Sequence, residues 1–238
     1  MIKLINDDCL SALRNVEDNS IDLIITDPPY GVEFSKGFED SLENVKTNIK
    51  VWVSEMCRVL KNNCHCYVFI PTKQAGLWLS TLERYFTINN ILSTRTYTGS
   101  VFNSNNFKFD SQLVVYCSKG KAKNFNEYNY FKTSEAWLND KRNKNPKEYT
   151  YRYPSFISEV FSNVKVNKTT TNKRHPCEKN PDFIDILVNI SSNEGDTVLD
   201  MFMGGGSVGV SSIRNKRKFI GVELNKDYYN LAKERLLC

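Results

Sequence analysis

The sequence predicts an open α/β fold of the doubly wound kind, on a mostly parallel sheet of seven strands. Three observations carry this. Ile21, Leu23, Ile24 and Ile25 form a short apolar run rich in β-branched side chains, the composition of a strand buried on both faces. Near the C-terminus a strand-like segment, a glycine cluster at 204–206, a helical stretch and a second strand-like segment follow one another, the order of a crossover unit between parallel strands. Elsewhere strand-like runs alternate with amphipathic helical stretches, which is the pattern of a sheet covered on both faces.

Taken in order, residues 2–5 read as a strand ended by Asn6-Asp7-Asp8, and residues 9–13 begin a helical turn. The central strand over 21–26 stops at Pro28 and Pro29, neither of which donates to a ladder. Residues 31–44 are polar and predict a loop beside that strand end. Val45, Ile49, Trp52, Val53, Met56, Val59 and Leu60 share one face of a helix over 45–60. A strand over 64–70 ends at Pro71, a helix follows over 74–85, and strands over 88–97 and 112–117 suit a sheet edge. After the middle segment come a helix over 181–190, a strand over 197–202, a helix over 208–215, a strand over 218–223 and a closing helix over 227–237.

Composition narrows the class. A hydrophobic fraction of 40% in 238 residues supports one core, with room for an insertion. No apolar run approaches the roughly 18 residues of a membrane span, and residues 1–5 read as a strand, not as a signal peptide. Seven cysteines in buried-looking contexts suit a reducing cytoplasm. Cys57, Cys64, His65 and Cys66 match no zinc spacing, so no metal is expected.

The net charge of +5 is unevenly spread. Residues 119–175 carry 13 Lys/Arg against 5 Asp/Glu, a local net of +8, which leaves the remainder at −3. The same segment interleaves ten aromatics between Phe125 and Phe161. Cations among rings suit phosphate contact and base stacking, although most of these rings are expected to fill the segment's own small core.

Two turns carry the chemistry. At the end of the central strand stand Asp27, Pro28, Pro29 and Tyr30. Each proline fixes its own φ and holds the preceding residue extended. The Asp27 carboxylate and the Pro28 carbonyl accept hydrogen bonds, and the Tyr30 ring offers a stacking face, so the turn suits a planar heterocycle bearing an amino group. In the C-terminal unit, Gly204, Gly206 and Gly209 satisfy G-x-G-x-x-G, and Glu223 ends the next strand, placed to accept from two ribose hydroxyls. Taken alone, this unit fits a dinucleotide equally well.

Asp27-Pro28-Pro29-Tyr30 resembles the catalytic tetrapeptide of the DNA amino-methyltransferases, which methylate adenine N6 or cytosine N4. Three further segments resemble the same family. Asp200-Met201-Phe202-Met203-Gly204-Gly205-Gly206-Ser207 is similar to its D-P-F-x-G-S-G-T turn, with Met201 in place of proline and Gly205 in place of the middle serine. His175-Pro176-Cys177-Glu178-Lys179-Asn180 is similar to H-P-T-Q-K-P, and Asp7-Asp8-Cys9-Leu10 to G-D-C-L. The catalytic turn comes first, the basic segment next and the cofactor turn last, which is the permuted order of the β group.

The resemblance implies a Rossmann-like, circularly permuted methyltransferase fold. It implies S-adenosyl-L-methionine as cofactor, held by Asp8, Cys9, Asp27, His175, Lys179, Asp200, Phe202, Gly204, Gly206, Ser207 and Glu223, and catalysis by the 27–30 turn. Residues 1–118 become the catalytic half, 119–173 an inserted target-recognition region, and 174–238 the cofactor-binding half. The expected partner is double-stranded DNA, with recognition also expected around residues 103–109. A homodimer and a cognate restriction endonuclease are compatible with the family, though no motif here encodes either. The expected reaction is direct attack by a flipped-out base, without a covalent enzyme intermediate. Asp at position 27 favours adenine, since cytosine-N4 members usually carry Ser there. The competing readings are an N4-cytosine or RNA enzyme, a non-catalytic DNA-binding relative and a nicotinamide-dependent enzyme.

Overall fold

A computed structural model describes residues 1–31, 41–95, 111–127, 179 and 181–237. The strands are β1 (Ile2–Ile5), β2 (Ile21–Thr26), β3 (Leu60–Ile70), β4 (Thr87–Arg95), β5 (Ser111–Ser118), β6 (Thr197–Asp200) and β7 (Lys218–Val222). Among the described residues the helices are α1 (Cys9–Leu13), α2 (Leu42–Val59), α3 (Ala75–Leu82), α4 (Pro181–Ser191), α5 (Ser207–Arg214) and α6 (Lys226–Leu237). All seven strands form one sheet in the order β1-β7-β6-β2-β3-β5-β4. The first five run parallel, while β5 is antiparallel to both β3 and β4. The first strand thus pairs with the last, as the permuted order requires.

Helices cover both faces. One core cluster joins α1, α2 and α3 to the sheet through Ile24, Cys66, Val68, Val115 and Leu199. The other joins α4, α5 and α6 through Leu23, Ile25, Tyr67, Phe69, Val114 and Val198. Alternate residues of β2 therefore face opposite layers, and the continuous apolar run follows from that.

Helix α2 forms because Ser41 caps it, its hydroxyl accepting from the Asn44 N–H at 3.1 Å. Val45, Ile49, Trp52, Val53, Met56 and Val59 are all buried along one stripe. Arg58 fastens its end, donating to the carbonyls of Leu13 and Val16 and pairing with Asp18 and Glu55. The chain passes directly from α2 into β3, which begins at Leu60 and not at the expected Cys64. Leu60 pairs with Ile21, so the polar residues 61–63 sit within the strand, after which the register shifts. The expected helix over 74–85 is shorter. A 3₁₀ turn over Thr72–Gln74 precedes α3, and the chain turns after Leu82 to enter β4.

Residues 119–127, assigned by composition to the insertion, are tied to the sheet. The Lys119 ammonium donates to Asn19 Oδ1 and to the carbonyls of Cys57 and Leu60. The Asn126 side chain donates to the carbonyls of Asn189 and Ser192. Phe125 packs edge-on to His65, with ring centroids 5.4 Å apart. His65 lies buried on β3, and burial lowers its pKa to about 4. The rest of the insertion, the segment 103–109, residues 32–40 of the polar loop and His175 lie outside the described residues.

Candidate active site

The two turns meet where the sheet changes winding direction. Strands β2 and β6 are parallel neighbours, Leu23 pairing with Val198 and Ile24 with Leu199. From this pair the chain winds outward through β3 on one side and β7 on the other. The crevice beyond the carboxyl ends of such a pair is where ligands bind in open α/β sheets. The 27–30 turn leaves β2 there, and the glycine turn leaves β6.

A buried hydrogen bond joins them. The Thr26 hydroxyl donates to Asp200 Oδ1 at 3.0 Å, and the Phe202 N–H donates to the same oxygen at 3.1 Å. The second bond starts a turn, so β6 ends at Asp200, two residues before the expected Phe202. Burial, assisted by the neighbouring charges of Asp27 and Glu223, pushes the Asp200 carboxyl up to about 7; the bonds from Phe202 and Thr26 oppose that rise.

A pH prediction follows. The folded protein retains a proton on Asp200 that the unfolded chain releases at the ordinary carboxylate value. This contribution to stability is therefore fully present below the unfolded value and is lost as pH rises through about 7. Relative to Asp200→Asn, the unmodified protein is expected to gain about 2–3 kcal/mol between about pH 8 and pH 5, read by urea denaturation. A difference independent of pH would remove the shifted carboxyl.

The glycine turn is built for close approach. Gly204 and Gly206 adopt φ of 48° and 78°, and Gly206 sits at the N-cap of α5. A Cβ on Gly209 would lie 2.7 Å from both Leu236 and Phe219, so glycine there seats α5 against α6 and β7. The Gly204 N–H donates to Glu223 Oε2 at 2.9 Å, and the Asn225 N–H to Glu223 Oε1 at 2.8 Å. Burial raises the Glu223 pKa, and these backbone bonds oppose the rise. Ser207 opens α5 and is buried, and Phe202 packs edge-on to Trp52 at 5.2 Å.

Asp8 lies on the same rim. It caps α1, its Oδ1 accepting from the Leu10 and Ser11 N–H groups. Asn6 stitches the end of β1 to that of β7, donating to the carbonyls of Glu223 and Leu224. The Cys9 thiol is buried in the core and pushed up to about 12, chiefly by burial. Only its backbone is available to the rim.

At the end of β2, Asp27 is held from two directions. Lys179 Nζ lies 2.5 Å from its Oδ2, with the two side chains 15% and 21% exposed. The Tyr30 hydroxyl donates to Oδ1, and the Gln112 amide donates to that hydroxyl. Lys179, assigned from the resemblance to the cofactor, thus stands against the 27–30 turn. Sequence reasoning missed Asn6, Thr26 and Gln112. None lies at a distinctive position within a motif, and each acts through a partner distant in the chain.

This arrangement offers a clamped carboxylate and a ring beside a glycine turn with an acid at the next strand end. Among the described residues, no cluster of three or more His, Cys, Asp or Glu could hold a metal ion, and no helix is long and apolar enough to cross a membrane.

Comparison with known proteins agrees with this arrangement. The DNA methylase family of N6/N4 type matches residues 21–234. The type II methyltransferase M.HpaI of Haemophilus parainfluenzae is 30% identical over 98% of this chain and 74% of its own length. The DNA adenine methyltransferase YhdJ of Escherichia coli (strain K12) is 27% identical over 98% of this chain and 82% of its own. The crystal structure of the M1.HpyAVI–SAM complex superposes with a TM-score of 0.70 at 22% identity, covering 100% of both chains. The strand order, the two turns and these matches coincide: the chain belongs to the N6/N4 DNA methylase family.

Proposed function

We propose that this DNA methylase is a site-specific adenine-N6 methyltransferase using S-adenosylmethionine. One observation carries the reading. The Asp-Pro-Pro-Tyr turn and the glycine turn leave adjacent parallel strands and are joined by the bond from Thr26 to Asp200. A base presented by the first turn therefore lies beside whatever the second turn holds. Asp27 supports adenine over cytosine through the family resemblance, and YhdJ is a relative described as acting on adenine.

The residues fit the cofactor. The Glu223 carboxylate ends β7 beside the glycine turn, oriented by the Gly204 and Asn225 N–H groups, and is the acid that would accept from the ribose hydroxyls. Asp8 stands on the neighbouring rim for the adenine ring. Gly204–Gly206 and the α5 N-terminus permit close backbone approach, with Asp200 and Phe202 shaping the turn and Ser207 opening the helix. His175 and Lys179 would help hold it through the resemblance, and Lys179 also pairs with Asp27. When bound, S-adenosylmethionine supplies a methyl group made electrophilic by its sulfonium.

The chain's own residues then align and polarise. The target base leaves the duplex, since chemistry on its amino group needs a pocket. Tyr30 stacks on the ring. The Asp27 carboxylate and the Pro28 carbonyl accept from the amino group and turn its nitrogen lone pair out of conjugation, while Pro29 keeps the turn stiff. As positive charge develops on that nitrogen, the Asp27 carboxylate stabilises it. Much of the acceleration comes from alignment.

The insertion over 119–173 is assigned to target recognition in double-stranded DNA, between the catalytic half over 1–118 and the cofactor half over 174–238. The setting is the cytoplasm, as the modification component of a restriction–modification system or as a solitary enzyme. A cognate endonuclease and a homodimer are the partners to seek.

The test is to express the chain in a methylation-free host and map modified bases in its DNA. N6-methyladenine within a single motif is the expected result. N4-methylcytosine would overturn the base assignment while keeping the turn chemistry. No modification, with cofactor still bound, would point to RNA or to a non-catalytic relative.

A further inference from the structure

We propose that Gln112 is a positioning residue for the transfer reaction, acting on Asp27 through the Tyr30 hydroxyl. The inference rests on Asp27 being the acceptor for the target amino group. Gln112 lies on β5, the antiparallel strand whose start faces the carboxyl ends of the parallel ones. Its neighbour Leu113 pairs with Ile70, the last residue of β3, so Gln112 stands one residue beyond that ladder, level with the crevice. It lies outside the four short motifs quoted from the sequence.

Hydrogen-bond direction gives Gln112 its leverage. The side-chain amide nitrogen only donates, and it donates to the Tyr30 hydroxyl. With a donor occupying its oxygen, the hydroxyl directs its single proton to Asp27 Oδ1. The other Asp27 oxygen faces Lys179 Nζ at 2.5 Å. That ammonium lies 4.9 Å from the Phe69 ring centroid and 5.8 Å from that of Tyr30. Gln112 therefore supplies one side of the clamp, and Lys179 the other. Successive hydrogen bonds polarise one another in a partly dry site, so the first donor strengthens the second bond. The same contact fixes the edge of the Tyr30 ring that stacks on the base. The link reaches from β5 past β3 to the turn after β2, strands that are not neighbours in the sheet.

A double-mutant cycle separates this role from simple packing. Gln112→Leu is expected to lower kcat about tenfold in the otherwise unmodified chain, and by less than about twofold when Tyr30→Phe has already removed the hydroxyl. Cofactor affinity by calorimetry and the melting temperature should match those of the unmodified protein. The same loss in both backgrounds, or no loss in the first, would overturn the proposal. Asp27→Ala, assayed alongside, distinguishes the two levels. If it remains active, the reading of Asp27 itself fails. If it is inactive while the cycle shows no coupling, only the role of Gln112 fails.

Discussion

Replacing Asp27 by alanine is expected to abolish methyl transfer to DNA, a loss of about 10³-fold or more in kcat, with cofactor still bound. An exocyclic amino nitrogen is a poor nucleophile because its lone pair is shared with the ring. The protein must draw that pair out and then tolerate positive charge on the nitrogen. Asp27 suits this because both its oxygens are already oriented, one by Lys179 and one by the Tyr30 hydroxyl. With its side chain 21% exposed, its charge is incompletely screened by water. Asp27→Asn keeps an acceptor oxygen but loses the charge, so it should retain more turnover than alanine. The residues fitted to the ribose and adenine of the cofactor stand beyond β6, β7 and β1, so the affinity measured by calorimetry should survive. Turnover near that of the unmodified protein would exclude Asp27 from the chemistry.

The sequence displayed the strands and turns whose cause is local. The apolar run over 21–25 and the paired prolines mark β2 and its end because burial on both faces and a missing N–H leave compositional traces. The glycines at 204, 206 and 209 are legible for the same reason: backbone conformation and close packing demand them. Long-range partners leave no such trace. Thr26 reads as an ordinary strand residue, and its bond to Asp200 crosses 174 positions of chain. Charge patterning misleads wherever a cation turns inward. Lys119, counted among the basic residues of the insertion, spends its three donors on Asn19, Cys57 and Leu60. Arg217 is buried, with its guanidinium on Ser192 and the Asn215 carbonyl, though arginine ordinarily signals a solvated face.

Glu223→Ala is expected to weaken S-adenosylmethionine binding by at least about 10- to 100-fold, the range for losing one charge-assisted bond to a ribose hydroxyl. The structure adds a second reason for a large effect. Glu223 also holds the glycine turn, accepting from Gly204 and Asn225, so alanine leaves these backbone donors without their carboxylate and loosens the turn itself. Glu223→Gln removes the charge and turns one oxygen into a donor facing a backbone N–H, so it should be little better than alanine. Acidity supplies an independent check. Burial raises the Glu223 pKa above its ordinary value, and the carboxylate is the form that accepts from the ribose. Affinity should therefore begin to fall at a higher pH than an ordinary glutamate would produce as the solution is acidified. That dependence should disappear in the glutamine variant. Equal affinity in all three proteins by calorimetry would remove Glu223 from the cofactor site while leaving its structural bonds to the turn intact.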